Sequence, residues 1–323
     1  MASVNDLFFF KKADRFKGLV SYTDAEYKAT LEKLNSFLDS SCPSLVRFLV
    51  NMWNAQGRAI TYKELREAIL AGEISLEYLD QWRQDYSRFI RQHLQEGWEK
   101  AISEGVRNQT ARFPDFYFDP MGDGVRNWTQ NRSAEFVTYV TDNQIEGLRA
   151  VIHEAMNLEH MSPDSLARVI RPMVGLYADQ TRANLRYYQN LIDNGVKVER
   201  ARELSIRYGA RQHRYRAMMI ARQEMAMAYN TGADLGVREA QAKGYMGETV
   251  KIWSTSMTER RCPICKALEG AIVGMEEDFD FETRGRYRFT KKYPPAHIKC
   301  QCAVMYREIR PPVYSEGIDF LRL

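Results

Sequence analysis

No apolar run in this chain of 323 residues approaches the roughly 20 residues that a bilayer-spanning helix needs, so no membrane span is expected. The run Leu7-Phe8-Phe9-Phe10 is shorter than a secretory core, and Lys11 and Lys12 follow it instead of preceding it, which argues against an export signal. Neither an internal repeat nor a low-complexity tract is present. Histidine is scarce, at five residues, and four of them (His93, His153, His160 and His213) fall in expected helices with no catalytic signature nearby. There is no His-Glu-x-x-His pair, no Gly-x-x-x-x-Gly-Lys-Ser/Thr loop for nucleotide phosphates, and no upstream His-x-Glu of the kind zinc deaminases use to move protons. The formal charge is only +4, so attraction to nucleic acid would have to come from local patches, not from the overall field. Folding in a reducing cytosol is expected, where clustered thiols serve more readily as metal ligands than as disulfides.

What is present begins with helical periodicity, which runs from Thr23 to about Lys243. Thr23 with Glu26, and Thr61 with Glu64, fit capping boxes that start helices. Leu79, Trp82, Tyr86, Phe89, Ile90 and Leu94 mark the core face of a helix beginning near Ser75, with Gly105 expected beyond its end. The Pro-, Gly- and aromatic-rich stretch 113–124 reads as a packed loop and supplies a first boundary. Residues 136–141 have the β-branched and aromatic character of a strand, with helix as the alternative. Ser162-Pro163 starts another helix, and Leu185, Tyr188 and Ile192 mark the buried face of the next, ended by Asn194-Gly195. Val198 to Lys243 is helical by composition, and Gly209 and Gly232 either divide or only weaken it. After Gly244, residues 249–255 alternate as a strand does. The expected fold is therefore mainly α with a small C-terminal α+β domain: an elongated helical body followed by a short-stranded Cys/His module. The segments are 1–112, helical; 113–244, helical; and 245–323, the β-containing module.

Four of the five cysteines lie in that last segment. Cys262 and Cys265 are separated by two residues and can turn both sulfurs toward one point, while His297, Cys300 and Cys302 arrive from a remote stretch. The pattern predicts a closed, structural zinc site formed by Cys262, Cys265, His297 and Cys300. In an extended stretch Cys300 and Cys302 would point to opposite faces, so Cys302 is set aside as the competing ligand. Cys42 reads as an ordinary buried thiol. The alternative to the metal site is a set of reduced cysteines packed in a small core.

Two basic stretches stand out. Arg284, Arg286, Tyr287, Arg288, Lys291 and Lys292 could neutralise phosphates and stack on bases, or could form a solvated loop balancing Glu276, Glu277 and Asp278. Arg200, Arg202, Arg207, Arg211, Arg214, Arg216 and Arg222 crowd the long helix, where acidic neighbours, a protein partner or nucleic acid are all open.

Ile220-Ala-Arg-Gln-Glu224, Tyr229-Asn-Thr-Gly232, Ile252-Trp253, Glu259 to Cys265, Leu268-Glu-Gly270, Pro295-Ala-His297 and Cys300-Gln-Cys302 follow one another in an order that resembles the bacteriophage Mu F-like head morphogenesis family. The resemblance runs from about Ser162 to Met305. Gln223, Thr258, Ile298 and Gln301 stand where the family pattern usually has Thr, Asp, Pro and Arg, and these departures leave the Cys and His positions intact. The resemblance implies a low-copy minor head protein of a tailed phage, a virion component made in the host cytoplasm and placed near the portal. It would assist head assembly and DNA packaging or delivery. Implied partners are the portal protein, the major capsid protein and packaged DNA. No catalytic or cofactor-binding residues are assigned and no enzyme is expected. The residues after Cys302 are too few for a fused domain, and residues 1–112 are expected to dock on portal or capsid. The rival reading is a zinc-dependent nuclease or transferase acting on nucleic acid or host protein, with Glu259 or Glu269 as its carboxylate.

Overall fold

The computed structural model describes residues 8–10, 16, 18–73, 75–156, 162–255, 262–283, 287–298 and 300–310. The protein is mainly helical, with a small strand-containing region toward the C-terminus. Its helices are α1 (Asp24–Ala59), α2 (Tyr62–Ala71), α3 (Leu76–Phe89), α4 (Gln95–Thr110), α5 (Asp123–Met156), α6 (Pro163–Ile170), α7 (Ala178–Asp193), α8 (Val198–Ala242) and α9 (Pro263–Leu268). The strands are β1 (Phe8–Phe10), β2 (Glu248–Ser254), β3 (Ile272–Gly274), β4 (Phe279–Thr283), β5 (Tyr287–Lys291) and β6 (Ala303–Arg310). Among the described residues, no helix is long and apolar enough to cross a membrane.

The helix starts follow from local chemistry. Thr61 and Glu64 form a full capping box at α2, and Thr23 and Glu26 exchange the same pair of bonds at α1, 2.8 and 3.2 Å long. Ser75 caps α3, Ser162 caps α6 with Pro163 in its first turn, and Gly195 follows α7 at a φ of 76°. Two expectations are corrected and one open alternative is decided. Residues 136–141 are not a strand but part of α5; Phe136 and Val140, four apart, are both fully buried, so helical spacing prevails over β-propensity. Gly105 does not lie beyond its helix: a π-helical turn at Ile90–Leu94 carries α3 into α4, and Gly105 sits inside α4. Gly232 does not divide α8, because it serves packing. A Cβ at Gly232 would collide with the Ile102 carbonyl, and one at Gly105 with the Tyr229 carbonyl, so the two glycines let the α4 and α8 backbones touch.

The chain folds into two compact units. One consists of Cys42–Glu96 and Asn127–Ala221 and is all helical. Its core contains Trp82, Tyr86, Phe89, Ile90 and Leu94 as their spacing predicts; the Leu79 side chain lies outside the described residues. A buried polar chain crosses it: the Trp53 indole donates to the Tyr86 hydroxyl at 2.7 Å, that hydroxyl donates to Gln144, and Gln144 donates to Gln56 at 3.0 Å. The His213 ring bonds the Val174 carbonyl at 2.9 Å, and burial pushes its pKa down to about 4.

The other unit consists of Met1–Ser41, Gly97–Arg126 and Arg222–Leu323. It holds two antiparallel sheets, ordered β1-β4-β5 and β3-β2-β6. In the second sheet β2 is central, and its run of six buried residues matches a strand covered on both faces. Ser254, the last residue of β2, lies opposite Ala303, the first of β6.

Candidate metal centre

Pro263 occupies the first turn of α9, where its missing N–H is no loss, and Cys262 stands before it as the cap residue. The Cys262 sulfur accepts the Cys265 N–H at 3.3 Å, so a single helical turn brings both sulfurs to one side. The second arm is a tight turn in which the Cys300 N–H donates to the His297 carbonyl at 3.0 Å. His297 Nδ1 lies 2.6 Å from the Ile298 carbonyl oxygen. A carbonyl can only accept, so Nδ1 carries a proton here, which leaves Nε2 as the ring nitrogen that faces the sulfurs. That is the arrangement a metal-ligating histidine takes when its other nitrogen is held by the backbone.

The two arms meet. His297 Nε2 is 2.9 Å from Cys262 Sγ and 3.2 Å from Cys265 Sγ, while Cys265 Sγ is 3.9 Å from Cys300 Sγ and 3.4 Å from Cys302 Sγ. Cys262, Cys265 and His297 form one close triad, and Cys265, Cys300 and Cys302 form another, with Cys265 common to both. Zinc bonds of about 2.3 Å to sulfur and 2.0–2.1 Å to nitrogen give tetrahedral edges of about 3.8 Å between sulfurs and about 3.5 Å between sulfur and nitrogen. The sulfur–sulfur separations fall on either side of that edge and the nitrogen lies inside its own, so each triad suits a metal ion, whereas Cys300 does not join Cys262, Cys265 and His297 in one mutually close group of four among the described residues.

The expectation that Cys300 and Cys302 diverge is corrected. Residues 300–302 precede β6 and are not strand, so the alternation of an extended chain does not apply, and both sulfurs come within 4.8 Å of Cys265. Hydrogen bonding to Cys300 and Cys302, with burial, pushes the Cys265 thiol far up, while the bond with Cys265 holds Cys300 well below the usual thiol range. Three close sulfurs cannot all carry charge in a small apolar core without a compensating cation. That core is formed by Trp253, Leu268, Val273 and Phe279, packed on the cysteines themselves.

The same unit contains functional-looking residues whose roles are read only from the fold. On α8, Asn230 Oδ1 accepts the Val304 N–H at 3.2 Å, Thr231 bonds the Tyr293 hydroxyl at 2.8 Å, and buried Asp234 receives Arg238 at 2.9 Å and Lys292 at 2.7 Å. Arg222 bonds Asp39 at 2.6 Å and Asn35 at 3.0 Å. Asn230, Thr231 and Asp234 fasten β6 and the segment before the His297 turn onto α8, whereas Arg222 ties α8 to α1. Asn230 and Thr231 lie in the Tyr229-to-Gly232 stretch, yet only tertiary contacts reveal their partners, and Asp234 belongs to none of the motifs that carry the family resemblance.

Of the basic stretch, Arg284 and Arg286 lie outside the described residues, and Tyr287 and Arg288 fall on β5 with side chains outside them as well. Lys291 is exposed, and Lys292 is engaged by Asp234. Glu259 and His160 are outside the described residues, whereas Glu269 is exposed at the end of α9. Cys42 is fully buried in the all-helical unit, apart from the other four cysteines.

Residues 164–305 match the model of the family described as phage Mu protein F like protein, a span running from α6 into β6. No curated protein and no solved structure matches the chain.

Proposed function

We propose, from the match of residues 164–305 to the phage Mu protein F-like family, that this protein is a minor head protein of a tailed bacteriophage. It is present in low copy near the portal, contacts portal and major capsid protein, and assists head assembly and DNA packaging or delivery. The observation that carries the reading is the family span itself, which takes in both the α8 residues that anchor β6 and all five Cys/His donors of the cluster. Those residues are spent on holding chain segments together, which suits a virion part better than a catalyst. The ion is zinc, held by Cys262, Cys265, His297 and Cys300. Cys300 is preferred to Cys302 because it shares the His297 turn and its 3.9 Å separation from Cys265 is the closer fit to a sulfur–sulfur edge of about 3.8 Å. Zinc in such a closed site supplies folding free energy and no reactive position.

A phage carrying a nonsense allele of this gene should yield DNA-poor or defective heads that a plasmid copy restores. Full infectivity without the protein would defeat the head reading. Metal-dependent turnover by the purified chain, lost on Glu269→Gln, would promote the nuclease or transferase reading in its place.

A further inference from the structure

Residues 182–216, spanning most of α7 and the first part of α8, contain nine Arg or Lys and three Asp or Glu. Their net +6 exceeds the +4 of the entire chain, so this hairpin is where the positive field originates. Some of the charge is internally matched: Arg200 pairs with Glu203 at 2.9 Å, and Arg182 with Glu154 at 3.2 Å. Arg186, Arg207, Arg211 and Arg214 are exposed and, among the described residues, have no carboxylate partner. On α8 the last three recur at i, i+4 and i+7, one face of a helix, and span about 10 Å along its axis.

The face is also rigid. The Gln212 side chain donates to the Gln180 carbonyl at 3.2 Å and accepts from Asn184 at 3.1 Å; Tyr187 packs on Tyr208 at 5.0 Å, and the Arg211 guanidinium lies 5.6 Å over the Tyr208 ring. We infer that this arginine face of the α7–α8 hairpin is a docking surface for the phosphate backbone of duplex nucleic acid. A guanidinium matches a phosphate through two parallel N–H donors, and charges about one turn apart on one face of a helix suit a polyanion with a regular run of charges. A protein partner fits less well, because the centre of a protein interface is depleted of charge and built on apolar anchors. Here the arginines form the centre, and the exposed apolar groups are isolated ones such as Ile206 and Tyr215. The inference stands on charge and geometry in the all-helical unit and does not rest on the head-protein reading.

Fluorescence anisotropy of the full chain with a short labelled duplex of mixed sequence tests it. The binding constant should fall with salt along a logarithmic slope of about −3 to −4. The triple variant Arg207→Gln, Arg211→Gln, Arg214→Gln should bind at least ~10-fold more weakly at low salt and lose about 3 from that slope. The single Arg211→Gln change, expected to remove about 1 from the slope, keeps the test decisive should the triple variant fold poorly. A slope near zero, a triple variant that binds like the parent, binding lost instead through Lys291→Gln, or poly-glutamate competing as well as duplex would each overturn it. None of those results would alter metal content or particle assembly, so this surface and the head reading fail separately.

Discussion

Lys251 sits on β2 with no exposed surface, and its ammonium donates to the Glu277 carbonyl at 2.6 Å and the Lys292 carbonyl at 3.1 Å. Burial pushes its pKa down to about 8, against the attraction of Asp234, which pulls it up. Between about 8 and the usual lysine value near 10.4, the unfolded chain holds a proton that the folded chain has released. Stability therefore rises with pH across that window, and the cost of the buried charge is borne in full below it. Replacing Lys251 by Met removes the titration. The difference in unfolding free energy, parent minus Lys251→Met, should grow by on the order of 1–3 kcal/mol from pH 8 to 10.5 in urea melts. A difference that stays flat over this range would show that Lys251 does not titrate as its burial implies. In the sequence this lysine is one polar position in an alternating strand, and nothing there distinguishes it from a solvated one.

At the scale of elements, the caps and the cluster were legible because both are written in adjacent residues. Thr61 with Glu64, Ser162 with Pro163, and Cys262 with Cys265 each act within one helical turn. Less could be read where the determining contact is remote. Residues 136–141 look like a strand until Phe136 and Val140 are seen buried along α5, and Gly105 looks like a helix end until the Tyr229 carbonyl is seen against it. The relative direction of Cys300 and Cys302 is hidden for the same reason: it depends on where β6 begins, which pairing with β2 decides. Because Cys265 joins both triads, Cys265→Ser should weaken metal binding most, by 100-fold or more on the order expected for a lost thiolate ligand, and Cys302→Ser least. Competition with a chromophoric chelator would measure both; equal losses would mean that Cys302 is a full ligand.

At the scale of the whole molecule, the two units divide the chemistry between them. The all-helical unit carries the unmatched arginines of α7 and α8, and the other carries the Cys/His cluster with the α8 residues that anchor β6. The placement of the cluster has a consequence for the protein as a population of molecules. Cys302 immediately precedes Ala303, the residue paired with Ser254, so the donors sit where the β2–β6 ladder begins. A slip of one residue there would turn every β6 side chain to the wrong face. Stripping the proposed zinc should then free strand edges to recruit neighbouring chains, and chelated protein should scatter light before its helical circular dichroism falls. If the helices melt first and the solution stays clear, the ion is not what keeps one copy from sticking to the next.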